Sequence, residues 1–214
     1  MASVGLLYVG AVLLINGLML LGRIPGKSAA MLNFFVGGMQ VVFPTILLIQ
    51  AAGDPAAVFA ASGLYLFGFT YLYVALVQVT GAGPEGLGWF SLFVAACAVV
   101  IGTLQFSLTA DPVFGVIWYL WAVLWVLFFL VLALGREQLS RTTGWFAILG
   151  GQLTATLPAF LLLTGSYVST PGTAAAMAAA GTAGLAASFY LGRQRTVRPG
   201  SAAPGAERPS PVVT

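Results

Sequence analysis

Leu66–Tyr73 reads Leu-Phe-Gly-Phe-Thr-Tyr-Leu-Tyr, an uncharged octapeptide inside an apolar run long enough to cross a bilayer. With Tyr65 just before it, the stretch holds three tyrosines. Phe69 and Tyr73 are four positions apart, so on a helix they share one face. Such a stretch has two readings. One is an aromatic face packed inside a helix bundle. The other is a narrow aromatic slot that lets a small neutral molecule through.

The chain has 214 residues, of which 60% are hydrophobic and 6% charged, with a mean hydropathy of +1.01. A soluble domain carries roughly 25% charged residues. The composition therefore specifies a polytopic membrane protein, and at about 20 residues per span there is room for six or seven helices. The apolar runs are continuous rather than alternating, which argues against a barrel. The formal charge is +3, but the cations lie in loops and the tail, where they set orientation; no nucleic-acid partner is implied. Cys97 is the single cysteine, so no disulfide forms within the chain. Histidine is absent, which removes histidine metal ligands, imidazole acid–base chemistry and histidine pH sensing together. The first apolar run has no basic region before it and no small-residue cleavage pattern at Gly22-Arg23, and reads as a retained helix.

Spans are expected at roughly 3–22, 28–52, 57–80, 88–107, 113–134 and 145–165, with Pro44 and Pro158 inside the second and sixth. Residues 173–191 form an uncharged Ala, Gly and Thr stretch, long enough to span but weakly hydrophobic. Orientation decides its status. Arg23 and Lys27 follow span 1, and Arg136 and Arg141 follow span 5, whereas the loops after spans 2 and 4 carry only Asp54 and Asp111. The positive-inside rule then puts the N-terminus outside. If 173–191 also crosses, Arg193, Arg195, Arg198 and Arg208 join the other cations inside. The expectation is an all-α protein with seven spans, N-out and C-in: a six-helix channel domain over 1–166, an additional helix over 167–192, and a disordered basic cytoplasmic tail over 193–214. Gly37 and Pro44 recur as Gly151 and Pro158, a shift of 114 or twice 57. Spans 1–2, 3–4 and 5–6 then read as three copies of one helical hairpin, repeated in parallel about an axis along the membrane normal.

No Asp, Glu, Lys, Arg or His falls within the first six spans. Ion-coupled carriers and pumps normally need such a group, so active transport is disfavoured. Ser91 and Cys97 have no base within the bilayer, which argues against an enzyme. What remains is neutral. Leu6, Val9, Leu13 and Asn16 follow a three-four-three spacing on span 1, Phe69 and Tyr73 share a face of span 3, and Trp118, Trp121 and Trp125 lie three and four apart on span 5 with Leu124 beside them. Trp121 and Trp125 lie too deep for an interfacial belt, and deep indoles need a hydrogen-bond partner. Three such stripes facing one another would wall a slot hostile to ions and suited to a small, neutral, polar molecule such as urea or a short amide.

The chain resembles the AmiS/UreI family of bacterial urea and short-chain amide channels. The matching segments are Leu-Leu-Tyr-Val-Gly at 6–10, Asn16-Gly17, Asn-Phe-Phe-Val-Gly-Gly at 33–38, Leu66–Tyr73, Trp-Phe-Ser-Leu-Phe-Val-Ala at 89–95, and Trp121 to Trp125; together they cover roughly 1–165. The resemblance implies three helical hairpins per protomer, one pore in each, and a homohexameric ring around central membrane lipid in a bacterial plasma membrane. It implies pore roles for Leu6, Val9, Leu13, Asn16, Phe69, Tyr73, Trp121, Leu124 and Trp125, with Trp118 matching a further family tryptophan. It implies no cofactor, and a cytoplasmic amidase or urease as metabolic neighbour. Two departures stand out. The family's acid-gated members carry a histidine-bearing loop between spans 2 and 3, whereas here that loop, about Ala52–Ala56, has none. The family commonly has Glu in span 6 where Gly150 stands; Gln152, two residues on, is a candidate extra polar group although about 200° round the helix. The alternative to a channel is a non-conducting sensor or assembly subunit that docks a partner through its basic tail.

Overall fold

Within hydrocarbon every backbone N–H and C=O must find its partner in the protein, so continuous apolar runs become helices. The computed structural model describes residues 2–194. Helices α1 (Ala2–Leu20), α2 (Gly26–Ala51), α3 (Pro55–Thr80), α4 (Glu85–Ser107) and α5 (Pro112–Leu132) form the first five spans. The sixth span combines a 3₁₀ turn (Glu137–Leu139), α6 (Ser140–Gly151), a π-helical turn (Gln152–Thr156) and α7 (Leu157–Leu163). Helix α8 (Pro171–Arg193) is the seventh, and all seven spans are long and apolar enough to cross a membrane. No strand occurs among the described residues. Helix α8 includes Arg193, one residue into the expected tail. The expectation of a disordered cytoplasmic tail falls, from residue 195 onward, outside the described residues.

The scarce polar residues of the loops start the helices. Asp54 accepts from the Ala57 amide at 2.8 Å and Asp111 from the Phe114 amide at 3.0 Å, each with Pro at the first helical position. That is the sequence signature of a helix N-terminus. Thr170 and Thr173 make a reciprocal capping box for α8. Pro44 sits within an unbroken α2. Pro158 instead follows the π-helical turn, which widens the helix where the ring has no N–H to offer and would crowd the Thr154 carbonyl.

Helices α1, α3 and α5 form the core-facing set, and α2, α4 and the sixth span lie outside them. The tight seams run between the three hairpins rather than within them. They join α2 to α3, α4 to α5, and the sixth span to α1, which closes the ring. Glycine explains this choice. A Cβ at Gly68 would come within 2.8 Å of the Gln40 carbonyl oxygen. One at Gly102 would come within 3.1 Å of the Gly115 oxygen, and one at Gly17 within 2.5 Å of the Gly144 oxygen. Small residues let membrane helices approach at backbone distance and gain dispersion contacts that lipid cannot match. Two seams also carry matching side-chain links: Thr45 Oγ1 to the Tyr65 hydroxyl at 2.7 Å, and Thr103 Oγ1 to the Tyr119 hydroxyl at 3.0 Å.

Helix α8 packs against α5 and α6, with Gly181 on Leu120 and Gly192 on Thr142. The loop leading into it is tied down at Asp111. One carboxylate oxygen accepts from Tyr167 at 2.7 Å and from Ser169 at 2.6 Å, and the Val113 amide donates to Ser169 at 3.1 Å. Burial, and then the Asp111 carboxylate, raise the Tyr167 hydroxyl well above its ordinary range, so it remains a donor. Arg23 and Arg141 line one cleft at a single end of the bundle. The α8 C-terminus reaches that end as well, because Gly192 touches Thr142.

Gly17→Val drives a branched side chain into the Gly144 carbonyl and Ile148. It should cost about 1–3 kcal/mol, as overpacking does, read as a lower thermal unfolding midpoint in detergent. Gly184→Ala, inside α8 with nothing near its Cβ position, should not lower that midpoint, since Ala is the better helix former.

Candidate functional site

The three core-facing helices each contribute two side chains, one turn apart, to a waist at the centre of the bundle. Val9, Phe67 and Trp121 form one rung, and Leu13, Tyr71 and Trp125 form the next; all six are buried. The steps from α1 to α3 are 58 positions in both rungs, and those from α3 to α5 are 54. The two rungs are thus in register with each other, although neither step equals the 57-residue period of the Gly and Pro match. Phe67 is the hub. Its ring centroid lies 4.8 Å from Trp121 and 5.0 Å from Trp125, both nearly edge-on at 78° and 82°, and 5.6 Å from Trp118. Edge-to-face contacts between quadrupoles hold such a cluster rigid.

A cavity lies on each side of the waist. The one toward the N-terminus, ≈ 280 Å³, is lined by Leu6, Val9, Gln40, Phe67, Trp118 and Trp121, among others. The one toward the cationic end, ≈ 50 Å³, is lined by Leu13, Asn16, Thr70, Tyr71, Ser91 and Trp125, among others. The two share no lining residue.

The polar groups around the bore are unevenly satisfied. Asn16 and Asn33 exchange two amide hydrogen bonds, at 2.9 and 2.6 Å, and Asn33 also donates to the Ala29 carbonyl. The Trp121 indole N–H donates to Thr154 Oγ1 at 2.9 Å, and Thr154 passes its own proton to the Gly150 carbonyl at 2.6 Å. Thr70 and Ser91 likewise donate to the carbonyls of Leu66 and Leu87, which leaves their hydroxyl lone pairs free to accept. Tyr71 Oη and Trp125 Nε1 are buried without any partner among the described residues. A buried donor left unsatisfied costs about 1–3 kcal/mol, and here two of them stand at the waist.

Most of the residues expected in the bore converge there. Leu6, Val9, Trp118 and Trp121 face the first cavity, and Leu13, Asn16 and Trp125 the second. Leu124 is buried beside them but faces a small void with Gly150, Thr154, Gly181 and Gly184. Phe69 and Tyr73 do not converge: they are 51% and 36% exposed, on the outward side of α3. The inward pair is Phe67 and Tyr71. Both pairs have the same spacing, and two positions on a helix turn the side chain by about 200°, so an aromatic i, i+4 pair alone cannot choose between them. The 57-residue period does not choose either, since it carries Val9 to Leu66 and Trp121 back to Leu64. Gln152 is also elsewhere. Its Nε2 donates to the Gly10 carbonyl at 3.0 Å and its Oε1 accepts from Thr156 at 2.9 Å, which places it in the seam between α1 and the sixth span. Gln40, Asn33 and Thr154 were not anticipated as part of the site. The signal for each is a polar residue on an otherwise apolar helix.

The family described as AmiS/UreI family transporter matches residues 1–166. A putative transporter protein AmiS2 of Rhodococcus erythropolis is 65% identical over 180 residues, covering 84% of this chain and 87% of that protein. A putative amidate substrates transporter protein of Mycolicibacterium smegmatis is 53% identical over 212 residues, covering 99% and 97%. The cryo-electron-microscopy structure of the Helicobacter pylori urea channel in its closed state superposes with a TM-score of 0.72 at 34% identity, covering 78% of this chain and all of that one. These relatives are named as transporters and channels rather than enzymes. On its sequence, its seven membrane-competent helices and its bore, the chain is a multi-pass membrane protein of the AmiS/UreI transporter family.

Proposed function

We propose that the protein is a passive channel for urea and short aliphatic amides. The observation that carries this reading is the pair of unpartnered donors at the waist, Tyr71 Oη and Trp125 Nε1, beside the accepting hydroxyls of Thr70 and Ser91. A planar amide has a carbonyl to accept from the first two and N–H groups to donate to the second two. Its flat shape suits a gap between aromatic edges. An ion gains nothing comparable, since no charge or cage of carbonyls replaces its hydration. The spans also lack the ionisable side chain that would couple flux to a proton or sodium gradient.

The finer features follow the same reading. With every described cation in a loop or at a helix end and the two capping aspartates in other loops, the positive-inside rule gives an N-out, C-in orientation in the bacterial plasma membrane. The short α2–α3 connection Ala52–Asp54 has no histidine, so opening does not depend on histidine protonation. A homohexameric ring around lipid follows from the family resemblance, as does a cytoplasmic amidase or urease that consumes the solute. Residues 1–166 are the channel domain, with α8 added to it.

Proteoliposomes should take up acetamide and urea without an H⁺ or Na⁺ gradient, at rates that change less than about twofold between pH 5 and pH 7.5, where no bore residue titrates. Uptake abolished by an ionophore would sink the passive mechanism. Tyr71→Phe removes one donor and little volume, whereas Trp125→Phe removes one donor together with part of a ring packed against Phe67. Each should lower amide permeability by about 3–10-fold, the worth of one hydrogen bond at roughly 1 kcal/mol, while Tyr73→Phe stays near wild type. The reverse pattern would put the working face of α3 on the other side.

A further inference from the structure

Helix α2 lies outside the core-facing set, yet it sends two amides inward. Asn33 and Gln40 are seven positions apart, two turns on one face, and their side chains are 0% and 1% exposed. Asn33 meets a partner on α1, because Asn16 closes a reciprocal amide ring with it. Gln40 meets none. Opposite it on α1, eleven residues before Asn16, stands Gly5, whose Cβ, were there one, would fall 2.6 Å from Gln40 Oε1. Oε1 has no hydrogen-bond partner, and Gln40 lines the ≈ 280 Å³ cavity before the waist. Helix α1 thus supplies an amide opposite one inward amide, and opposite the other only a glycine, against whose backbone the Gln40 amide packs unpaired.

We propose that Gln40 is a docking site for the amide edge of the solute. A primary amide or urea carries a C=O and an N–H on the same side. It can close with Gln40 the same two-bond ring that Asn16 closes with Asn33. The terminal torsion of glutamine is soft, and Gly5 leaves it room to turn. The site selects for solutes bearing both groups and delivers them flat to the rung of Val9, Phe67 and Trp121 one step further in. An apolar residue at 40 would spare the bundle an unsatisfied polar atom, and here the passing solute satisfies it. This inference rests on the channel reading.

The test compares permeability to acetamide with that to N,N-dimethylacetamide, which keeps the carbonyl and loses both N–H groups, in proteoliposomes of wild type, Gln40→Met and Gly5→Ala. A site built around an amide edge discriminates against the analogue lacking it. The acetamide preference should fall at least about threefold in both variants, and the thermal midpoint of Gln40→Met in detergent should equal or exceed that of wild type. An unchanged preference in either folded variant overturns the site. So does a lower midpoint with all solutes slowed alike, which is the mark of a structural amide. Wild type that passes neither solute overturns the channel reading itself.

Discussion

At Gly68 the backbone of α3 lies against the carbonyl of Gln40, and at Gly17 and Gly144 the backbones of α1 and α6 lie against each other. Between helices in lipid there is no water to expel, so packing and close approach decide which surfaces meet. Each glycine contact fixes a distance and also a rotation about the helix axis. Once Gly68 faces α2, its neighbours Phe67 and Tyr71 face the centre, and Phe69 is left outside. The aromatic hub, the two cavities and the orphan donors all follow from that rotation, which a side chain at Gly68 would forbid.

The polar economy of the bore follows from the same absence of water. Most threonine and serine hydroxyls in the spans are tied to the carbonyl four residues back, which commits the proton and leaves an acceptor. Trp121 uses such an acceptor on Thr154, whereas Trp125 has none. Two indoles on one helix, one turn apart, therefore have different standing. The first is part of the wall, and the second is available to whatever passes.

Much of the architecture was legible in the sequence. Seven apolar runs became seven spans, and the prolines and aspartates of the loops became helix starts. The stripes of α1 and α5 were legible because each helix carries one such face. Helix α3 carries aromatics on two opposite faces, and periodicity cannot say which of two equal stripes points inward; the glycine contact at Gly68 does. The hairpin repeat left open which helices pack most tightly. Covalent neighbours share a loop, but the seams go where glycines meet, which joins the sixth span back to α1. Gln152 lies in the seam with α1 rather than in the bore, in keeping with the turn of about 200° that separates it from Gly150.

The knot at Asp111 changes what the seventh helix is. Tyr167 and Ser169, which belong to the approach to α8, both donate to the carboxylate that also caps α5. The ring of Tyr167 lies 5.7 Å from Phe114, a residue lining the first cavity. An ornament added to a finished six-helix unit would be free to drift. This one is sewn to the rim of the first cavity, so the shape of that rim is partly written in residues beyond 166, where the family match ends.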